Sequence, residues 1–207
     1  MSVPFPVSIA TFIMSGGPNK TVFVPQAVHM KDAQLETFIN NTIIQKTKEM
    51  MAQQEAQMED AAVEEMLGTY EIKNNQRNVL SLSLSNYTYH THAAHGLTIL
   101  QSLTFDLEKG KKCDLKDLFK PGSDYVKRLS ALISQQIEER DIPLISEFTV
   151  IRPNQDFYVA DQTIVIYFQL YELTPYVYGF PMFPVPLYEL GDIIAEYGPL
   201  GRLAADR

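Results

Sequence analysis

Residues 156–190 read DFYVADQTIVIYFQLYELTPYVYGFPMFPVPLYEL, a stretch that concentrates apolar and aromatic side chains. Its first half predicts two strands, over residues 157–159 and 163–168, because β-forming residues flank a short polar break. Its second half contains four prolines and a glycine, which remove backbone donors and disfavour regular structure. The stretch therefore predicts a buried strand followed by an irregular aromatic loop.

The aromatic loop has two interpretations. Tyrosines offer a large contact area at low entropic cost, as binding surfaces do. Alternatively, the rings close the core and cover a sheet edge, and the prolines prevent edge pairing. The residues that carry the binding interpretation are Tyr171, Glu172, Tyr176, Tyr178 and Phe180.

The N-terminal part of the chain predicts a strand pair and a helix. β-forming residues over 3–14 and 21–24 flank a Ser-Gly-Gly-Pro-Asn turn, with Pro25 expected to end the second strand. Asp32 is the predicted N-cap of a helix that carries an apolar face.

The helical signal continues through residues 46–65, which are rich in Gln, Glu, Ala and Met, and Gly68 is expected to end it. A methionine-rich helix can form an adaptable partner surface, but a solvated helix whose Met50, Met51 and Met58 fill gaps beneath it is the favoured interpretation.

Three further elements are expected between these regions. Residues 69–73 and 78–89 predict a hairpin around an Asn-rich turn. In its second strand leucines alternate with serines, which predicts one buried face and one polar face. Residues 97–107 predict another strand, and residues 125–140 predict an amphipathic helix.

Composition limits the classes of partner. The chain has 207 residues, with 17 Lys and Arg against 25 Asp and Glu, giving a net charge of -8. This balance argues against nucleic acid, which requires clustered positive charge, and favours a cationic partner. The single cysteine, Cys113, excludes an internal disulfide.

The first residues fit neither a signal peptide nor a membrane span, because they lack a basic segment and prolines interrupt the apolar run. As written, the sequence predicts a cytoplasmic protein without membrane insertion.

The sharpest local motif is His90-x-His92-x-x-His95. Residues two apart on a strand share a side, so His90 and His92 can ligate one ion while the turn supplies His95. Three imidazoles and a water form a known catalytic zinc geometry. No carboxylate lies inside the motif, however, and an incidental role on a polar turn is favoured over a metal site.

Cys113 follows two lysines, whose charge favours a lower thiol pKa, but no partnering base is indicated. The sequence shows no phosphate loop, nucleophile elbow or helical HExxH motif. No cofactor is expected.

Motifs spread over about a hundred residues carry a family resemblance. Ala94-His95-Gly96, Tyr171-Glu172-x-x-Pro175-Tyr176 and Gly179-Phe180-Pro181 resemble the C-terminal domain of the extracytoplasmic region of RsiV-type anti-sigma factors. Pro25-Gln26 and Phe38-Ile39-Asn40 are similar to the smaller domain that precedes it there and in PdaC-type peptidoglycan deacetylases.

The resemblance implies an α+β fold of two small apposed subdomains, each a mainly antiparallel sheet packed against a helix. Residues 1–90 form the PdaC-like subdomain, residues 91–195 the RsiV-like subdomain, and residues 196–207 a tail that is expected to fray. In the anti-sigma factors this region is a receptor that binds lysozyme. In the deacetylases it accompanies a catalytic domain and does not itself supply the chemistry. Such relatives are extracytoplasmic.

The leading hypothesis is a non-enzymatic binding module of the cell envelope of a Gram-positive bacterium, with lysozyme or another cationic protein, or peptidoglycan, as its partner. One alternative is a metal-dependent hydrolase that uses His90, His92 and His95. Another is an intracellular structural or sensor protein.

Overall fold

The computed structural model describes residues 6–57 and 61–205. Their strands and helices are β1 (Ser8–Gly17), β2 (Lys20–Val28), α1 (Ala33–Glu55), β3 (Val63–Gln76), β4 (Val79–His90), β5 (Leu97–Asp106), β6 (Lys111–Cys113), α2 (Tyr125–Glu139), β7 (Phe157–Ala160), β8 (Thr163–Tyr167), β9 (Met182–Pro186) and α3 (Pro199–Ala204). Short 3-10 turns occur at Leu115–Leu118, Tyr176–Tyr178 and Leu187–Leu190. The α+β prediction is confirmed.

The strands form two sheets. The larger runs in the order β1-β2-β3-β4-β5-β6, and its neighbours are antiparallel except for the parallel pair β2–β3. That pair is parallel because α1 carries the chain from one end of the sheet back to the other. The smaller sheet, β7-β8-β9, is antiparallel throughout.

The elements stack as helix, sheet, sheet and helix. Helix α1 begins at the predicted N-cap, where the Asp32 carboxylate accepts from the Gln34 and Leu35 amides. It packs Ile39 and Ile43 on the leucine face of β4. Helix α2, confirmed over Tyr125–Glu139, covers the outer face of the smaller sheet. The smaller sheet thus lies between α2 and the larger sheet.

The serine face of β4, which the sequence predicted to be the polar face, is buried against the smaller sheet. Ser81 and Ser83 are almost completely enclosed. The Ser81 hydroxyl accepts from the Val159 amide at 3.0 Å, and the Ser102 hydroxyl on β5 donates to the Phe157 carbonyl. The face stays polar because it provides hydrogen bonds to the backbone of β7.

Two expectations about helix length and strand ends are wrong. Helix α1 ends at Glu55, and Gly68 lies inside β3, where an added Cβ would come within 2.3 Å of the Val22 side chain. Gly68 therefore permits close strand packing rather than ending a helix. Strand β2 continues past Pro25 to Val28. Met50 is buried beneath α1, as expected, whereas Met58 lies outside the described residues.

The aromatic loop is more regular than its prolines predicted. Strand β9 contains Pro184 and Pro186, which are tolerated because β9 is an edge strand. Near the C-terminus, Leu200 and Leu203 of α3 are buried in the core of the smaller sheet. The expectation that this segment frays is therefore wrong over Pro199–Ala204. Within the described residues, no helix is both long and apolar enough to cross a membrane.

Candidate binding surface

Three rings from two distant parts of the chain stack at one end of the molecule. The His95 and Tyr176 rings have centroids 4.3 Å apart, those of Tyr171 and Tyr176 lie 5.4 Å apart, and each pair is within 30° of parallel. The Tyr171 hydroxyl lies 3.2 Å from Nε2 of His95. Tyr171 is 50% exposed. We call these three residues the aromatic cluster.

The connection between β4 and β5 positions His95. Next to it, an added Cβ on Gly96 would lie 2.1 Å from the Tyr87 ring, so only glycine allows the strand end to approach that ring. The Gly96 carbonyl accepts from the Tyr176 hydroxyl at 3.0 Å and lies 2.9 Å from Nδ1 of His95. Burial raises the pKa of the Tyr87 hydroxyl, and the charge of Glu65 adds to that rise. Gly96 is therefore the point at which the two halves of the cluster meet.

The segment after β8 positions Tyr171 in an unusual conformation. Its backbone angle φ is +64°, a value that residues other than glycine rarely adopt. The preceding Gln169 is tied to the larger sheet, because its side-chain amide donates to the Leu100 carbonyl at 2.6 Å and accepts from the Leu100 amide at 3.2 Å. These contacts hold Tyr171 in its left-handed turn.

A carboxylate brace completes this support. Glu172 accepts from the Gln169 amide at 2.7 Å and forms an ion pair with Arg152 at 2.9 Å. Asp156 accepts from the Gln169 side chain at 2.9 Å. Burial raises the pKa of Asp156, whereas the Gln169 hydrogen bond and the charge of Arg152 act against that rise.

The remaining predicted ligand-binding residues divide between surface and interior. Tyr178 is exposed on the 3-10 turn that follows Pro175. Phe180 packs partly buried against Leu100 and Tyr158, between the two sheets. Glu172 lies close to Tyr171 in sequence, but its carboxylate is engaged by the internal brace.

The structure does not bring the three predicted metal ligands together. His90 is buried at the end of β4, His92 lies exposed in a left-handed turn, and His95 joins the aromatic cluster. Across residues 6–57 and 61–205, no group of three or more His, Cys, Asp or Glu side chains is arranged to hold a metal ion.

Cys113 lies buried on β6. Burial, reinforced by the charge of Asp106, raises its thiol pKa to about 11, although Lys111 acts in the opposite direction. The sequence-based expectation of a lowered pKa is wrong, because loss of solvent outweighs the neighbouring charge.

Sequence reasoning found the tyrosines but missed their association with His95. The residues are 76 positions apart, and no local pattern links them. The available signal was the joint occurrence of Ala94-His95-Gly96 and Tyr171-Glu172-x-x-Pro175-Tyr176 among the resembling motifs.

Two family models match the chain in tandem. Residues 20–98 match the model described as Deacetylase PdaC, and residues 116–188 match Protein of unknown function (DUF3298). A PdaC-type segment therefore precedes a DUF3298 segment, which confirms the PdaC part of the resemblance. The aromatic cluster takes His95 from the first segment and both tyrosines from the second.

Among curated proteins, the peptidoglycan-N-acetylmuramic acid deacetylase PdaC of Bacillus subtilis (strain 168) is 24% identical over 201 residues. The match covers 92% of this chain and 42% of that protein, so the chain spans less than half the length of this relative.

Two solved structures share the fold. One is a member of the DUF3298 family from Bacteroides fragilis NCTC 9343, with a TM-score of 0.67 and 17% identity over 98% of each chain. The other is a DUF3298 family protein from Pseudomonas aeruginosa PAO1, with a TM-score of 0.68 and 16% identity over 99% of each chain.

Proposed function

We propose that this chain, a PdaC-type segment joined to a DUF3298 segment, is a non-enzymatic module that binds the glycan of the bacterial cell wall. The observation that carries the proposal is the stack of His95, Tyr171 and Tyr176 on a braced support, in which His95 and Tyr171 are exposed and Tyr176 is half-buried. Under this proposal the protein works in the cell envelope.

The cluster has the chemistry that a sugar surface requires. Aromatic rings offer an apolar face for contact with C–H groups. The Tyr171 and Tyr176 hydroxyls already contact His95 and Gly96, so they offer a ligand their remaining oxygen lone pairs as acceptors. Because the Tyr171 side chain already contacts His95 and Tyr176, little side-chain freedom is lost on binding. Preorganised rings of this kind suit a binding role.

The nearby carboxylates support binding rather than catalysis. Glu172 and Asp156 are engaged by Arg152 and Gln169 beneath the cluster. A general acid or base must reach the atom that gains or loses a proton. In this arrangement the two carboxylates hold the segment that carries Tyr171.

The Bacillus subtilis relative indicates the class of ligand. The Bacillus subtilis protein acts, by its name, on peptidoglycan N-acetylmuramic acid. The proposal transfers only the polymer, peptidoglycan, to this chain, and assigns to this region the task of holding it.

A cationic protein such as lysozyme is a second candidate partner. The net charge of -8 steers a positively charged protein towards this chain. The exposed tyrosine faces can also accept Lys or Arg side chains through cation–π contacts. Strong weakening by salt is expected for this partner, because exposed charges are screened.

The test is co-sedimentation with purified, insoluble peptidoglycan, followed by calorimetry with soluble glycan fragments that lack the peptide stems. Tyr171→Ala and Tyr176→Ala are expected to weaken binding by roughly 30-fold or more, the effect of removing an anchoring aromatic residue. Tyr188→Ala is the matched control, because Tyr188 is 83% exposed outside the cluster.

Peptidoglycan binding that is unchanged in both cluster variants would contradict the role of the cluster. Absence of glycan binding, together with salt-sensitive binding of lysozyme, would support the second candidate instead.

A further inference from the structure

Strand β1 forms an unprotected edge of the larger sheet. It spans ten residues, SIATFIMSGG, without a charged residue or a proline. β2 pairs with one side of β1, and within the described residues no strand pairs with the other. Natural proteins normally block such an edge, since its free backbone groups can pair with another chain.

The opposite edge of the same sheet is protected in the usual ways. Strand β6 is only three residues long and begins with two lysines. Both lysines lie at the surface, where Lys111 pairs with Asp117 and Lys112 pairs with Asp114. Short length and charge discourage further strand pairing.

The smaller sheet protects both of its edges by hydrogen bonding. On β7, Ser81 and Ser102 engage the backbone of Val159 and Phe157. On β9, side chains of α2 reach the backbone carbonyls: Gln136 donates to Pro184 at 2.9 Å and Arg140 donates to Met182 at 2.9 Å. Among the four sheet edges described, only β1 lacks such a device along most of its length, since its one register irregularity lies at Ser15/Gly17, next to the turn.

Part of the face next to this edge is also apolar. The smaller sheet covers the side of β3, β4 and β5 that faces away from α1. Beyond it, on the same side, Ile13 is 63% exposed, and Phe23 and Leu67 are exposed beside it. Ile13 and Phe23 are direct cross-strand partners.

We propose that two copies of this chain associate through antiparallel pairing of their β1 strands, which joins the two larger sheets into one continuous sheet. The contact combines main-chain hydrogen bonds along β1 with burial of Ile13 against the partner copy. This mode of recognition is strand addition to an exposed sheet edge.

The composition of β1 permits a second copy of the chain to pair with it. In a two-fold antiparallel pair each strand faces itself, so any charge near the centre would oppose an identical charge. The complete absence of charge from Ser8–Gly17 removes that repulsion.

The position of the two-fold axis decides which side chains of the two β1 strands lie opposite each other. An axis near Phe12 places Ile13 opposite Thr11 of the partner subunit and diagonal to its own copy. Thr11, Phe12 and Ile13 are uncharged and belong to types that stabilise strand pairs.

The experiment measures the mass of the full chain in solution by analytical ultracentrifugation. The wild type is expected to show twice the 23.5 kDa of one chain at high-micromolar concentration. Ile13→Lys and Ile13→Glu are each expected to be monomeric, because two like charges then lie diagonal to each other across the axis and the apolar contact of Ile13 is lost. Mixing the two variants is expected to restore the dimer, since opposite charges then meet.

Val150→Lys is the matched control, because Val150 is a 55% exposed β-branched residue outside the larger sheet. It is expected to leave the dimer intact. Circular dichroism and thermal melting check that every variant is folded.

A monomeric wild type would overturn the proposal. So would a dimer that survives both Ile13 substitutions, because the contact would then use another surface. Restoration on mixing distinguishes loss of the interface from misfolding, since a misfolded pair does not recover.

Discussion

At the scale of single residues, the carboxylates near the aromatic cluster act as supports. Asp156 and Glu172 converge on Gln169, one through its side chain and the other through its backbone amide. Arg152 balances part of their charge through its ion pair with Glu172. The position of Tyr171 thus depends on a partly buried polar network, in which each group affects the others.

Asp156→Asn tests the cost of the charge in this network. The folded-state pKa of Asp156 lies above its ordinary value of 3.8, mainly because of burial. The folded protein therefore binds a proton at the Asp156 carboxyl more tightly than the unfolded chain does. The stabilisation that this proton provides is lost as pH rises through the folded pKa. At neutral pH, asparagine removes the buried charge while its side-chain oxygen still accepts from Gln169. We expect a higher melting temperature for the variant at pH 7, and a smaller difference below about pH 4.

The measurement is thermal unfolding of both proteins from about pH 3 to pH 7. Glu138→Gln, an exposed position on α2, is the control for removing one negative charge. A variant that is less stable than the wild type at pH 7 would show that attraction to Arg152 outweighs burial.

At this scale the sequence identified the residue types of the site but not the orientation of their side chains. Tyr171 and Tyr176 stood out because aromatic residues lie among prolines in that loop. The Glu172 carboxylate points to the brace, and an acidic residue beside an exposed tyrosine gives no local signal of that orientation. His95 was recognised as part of a histidine motif, while its tyrosine partners lie in a segment brought close only by folding.

At the scale of elements, the end of α1 illustrates the limit of helix propensity. Residues 46–65 favour a helix by composition, yet the helix stops at Glu55 and a strand begins at Val63. Long-range pairing decides the outcome, because β3 pairs with β4 along nearly its whole length. Tertiary contacts of this kind override weak local preferences.

The last turn of α1 carries a buried polar contact with the strands. Gln54 is completely enclosed and donates to the carbonyls of Asn86 at 2.8 Å and Leu97 at 3.0 Å. Its own oxygen accepts from the Asn86 side chain. This glutamine anchors the helix end to β4 and β5, close to the connection that presents His95.

Gln54→Leu is expected to lower the free energy of unfolding by about 1–3 kcal/mol, because buried groups of Asn86 and Leu97 lose their partner. The neighbouring Gln53→Leu is the matched control, since Gln53 is exposed on the same turn. It is expected to change stability by less than about 0.5 kcal/mol. Urea unfolding measures both variants. Equal effects would mean that the hydrogen bonds of Gln54 add nothing beyond helix propensity.

The alternating leucines and serines of β4 show what an element's pattern can and cannot reveal. Period-two alternation correctly separated the two faces. The burial of Ser81 depends on β7, which lies 78 residues further along the chain and places its backbone against the serine hydroxyl. A polar face can meet either water or another backbone, and the local pattern is the same for both.

At the scale of the whole molecule, the C-terminal segment joins the two parts of the fold. Helix α3 buries Leu200 and Leu203 in the core of the smaller sheet. Its Arg202 side chain forms an ion pair at 2.7 Å with Asp106, at the end of β5 in the larger sheet. The sequence offered only a short segment near the chain end, so the prediction of a frayed tail followed from position alone.

The Arg202–Asp106 pair provides the sharpest test of this connection. Asp106 is 0% exposed, so removing its cation leaves a buried carboxylate without charge compensation. Arg202→Ala is expected to lower the free energy of unfolding by roughly 3–5 kcal/mol, as for other broken buried pairs. Arg128→Ala is the matched control, because the Arg128–Asp192 pair has the same 2.7 Å separation but lies exposed. Its loss is expected to cost at most about 1 kcal/mol.

Denaturant unfolding of the two variants separates burial from simple loss of an ion pair. A cost for Arg202→Ala as small as that for Arg128→Ala would show that Asp106 is solvated when α3 detaches, and that the two sheets hold together without the C-terminal segment. A large cost accompanied by a single cooperative transition would show that α3 stabilises both sheets as one unit, because a separable segment would unfold in a step of its own.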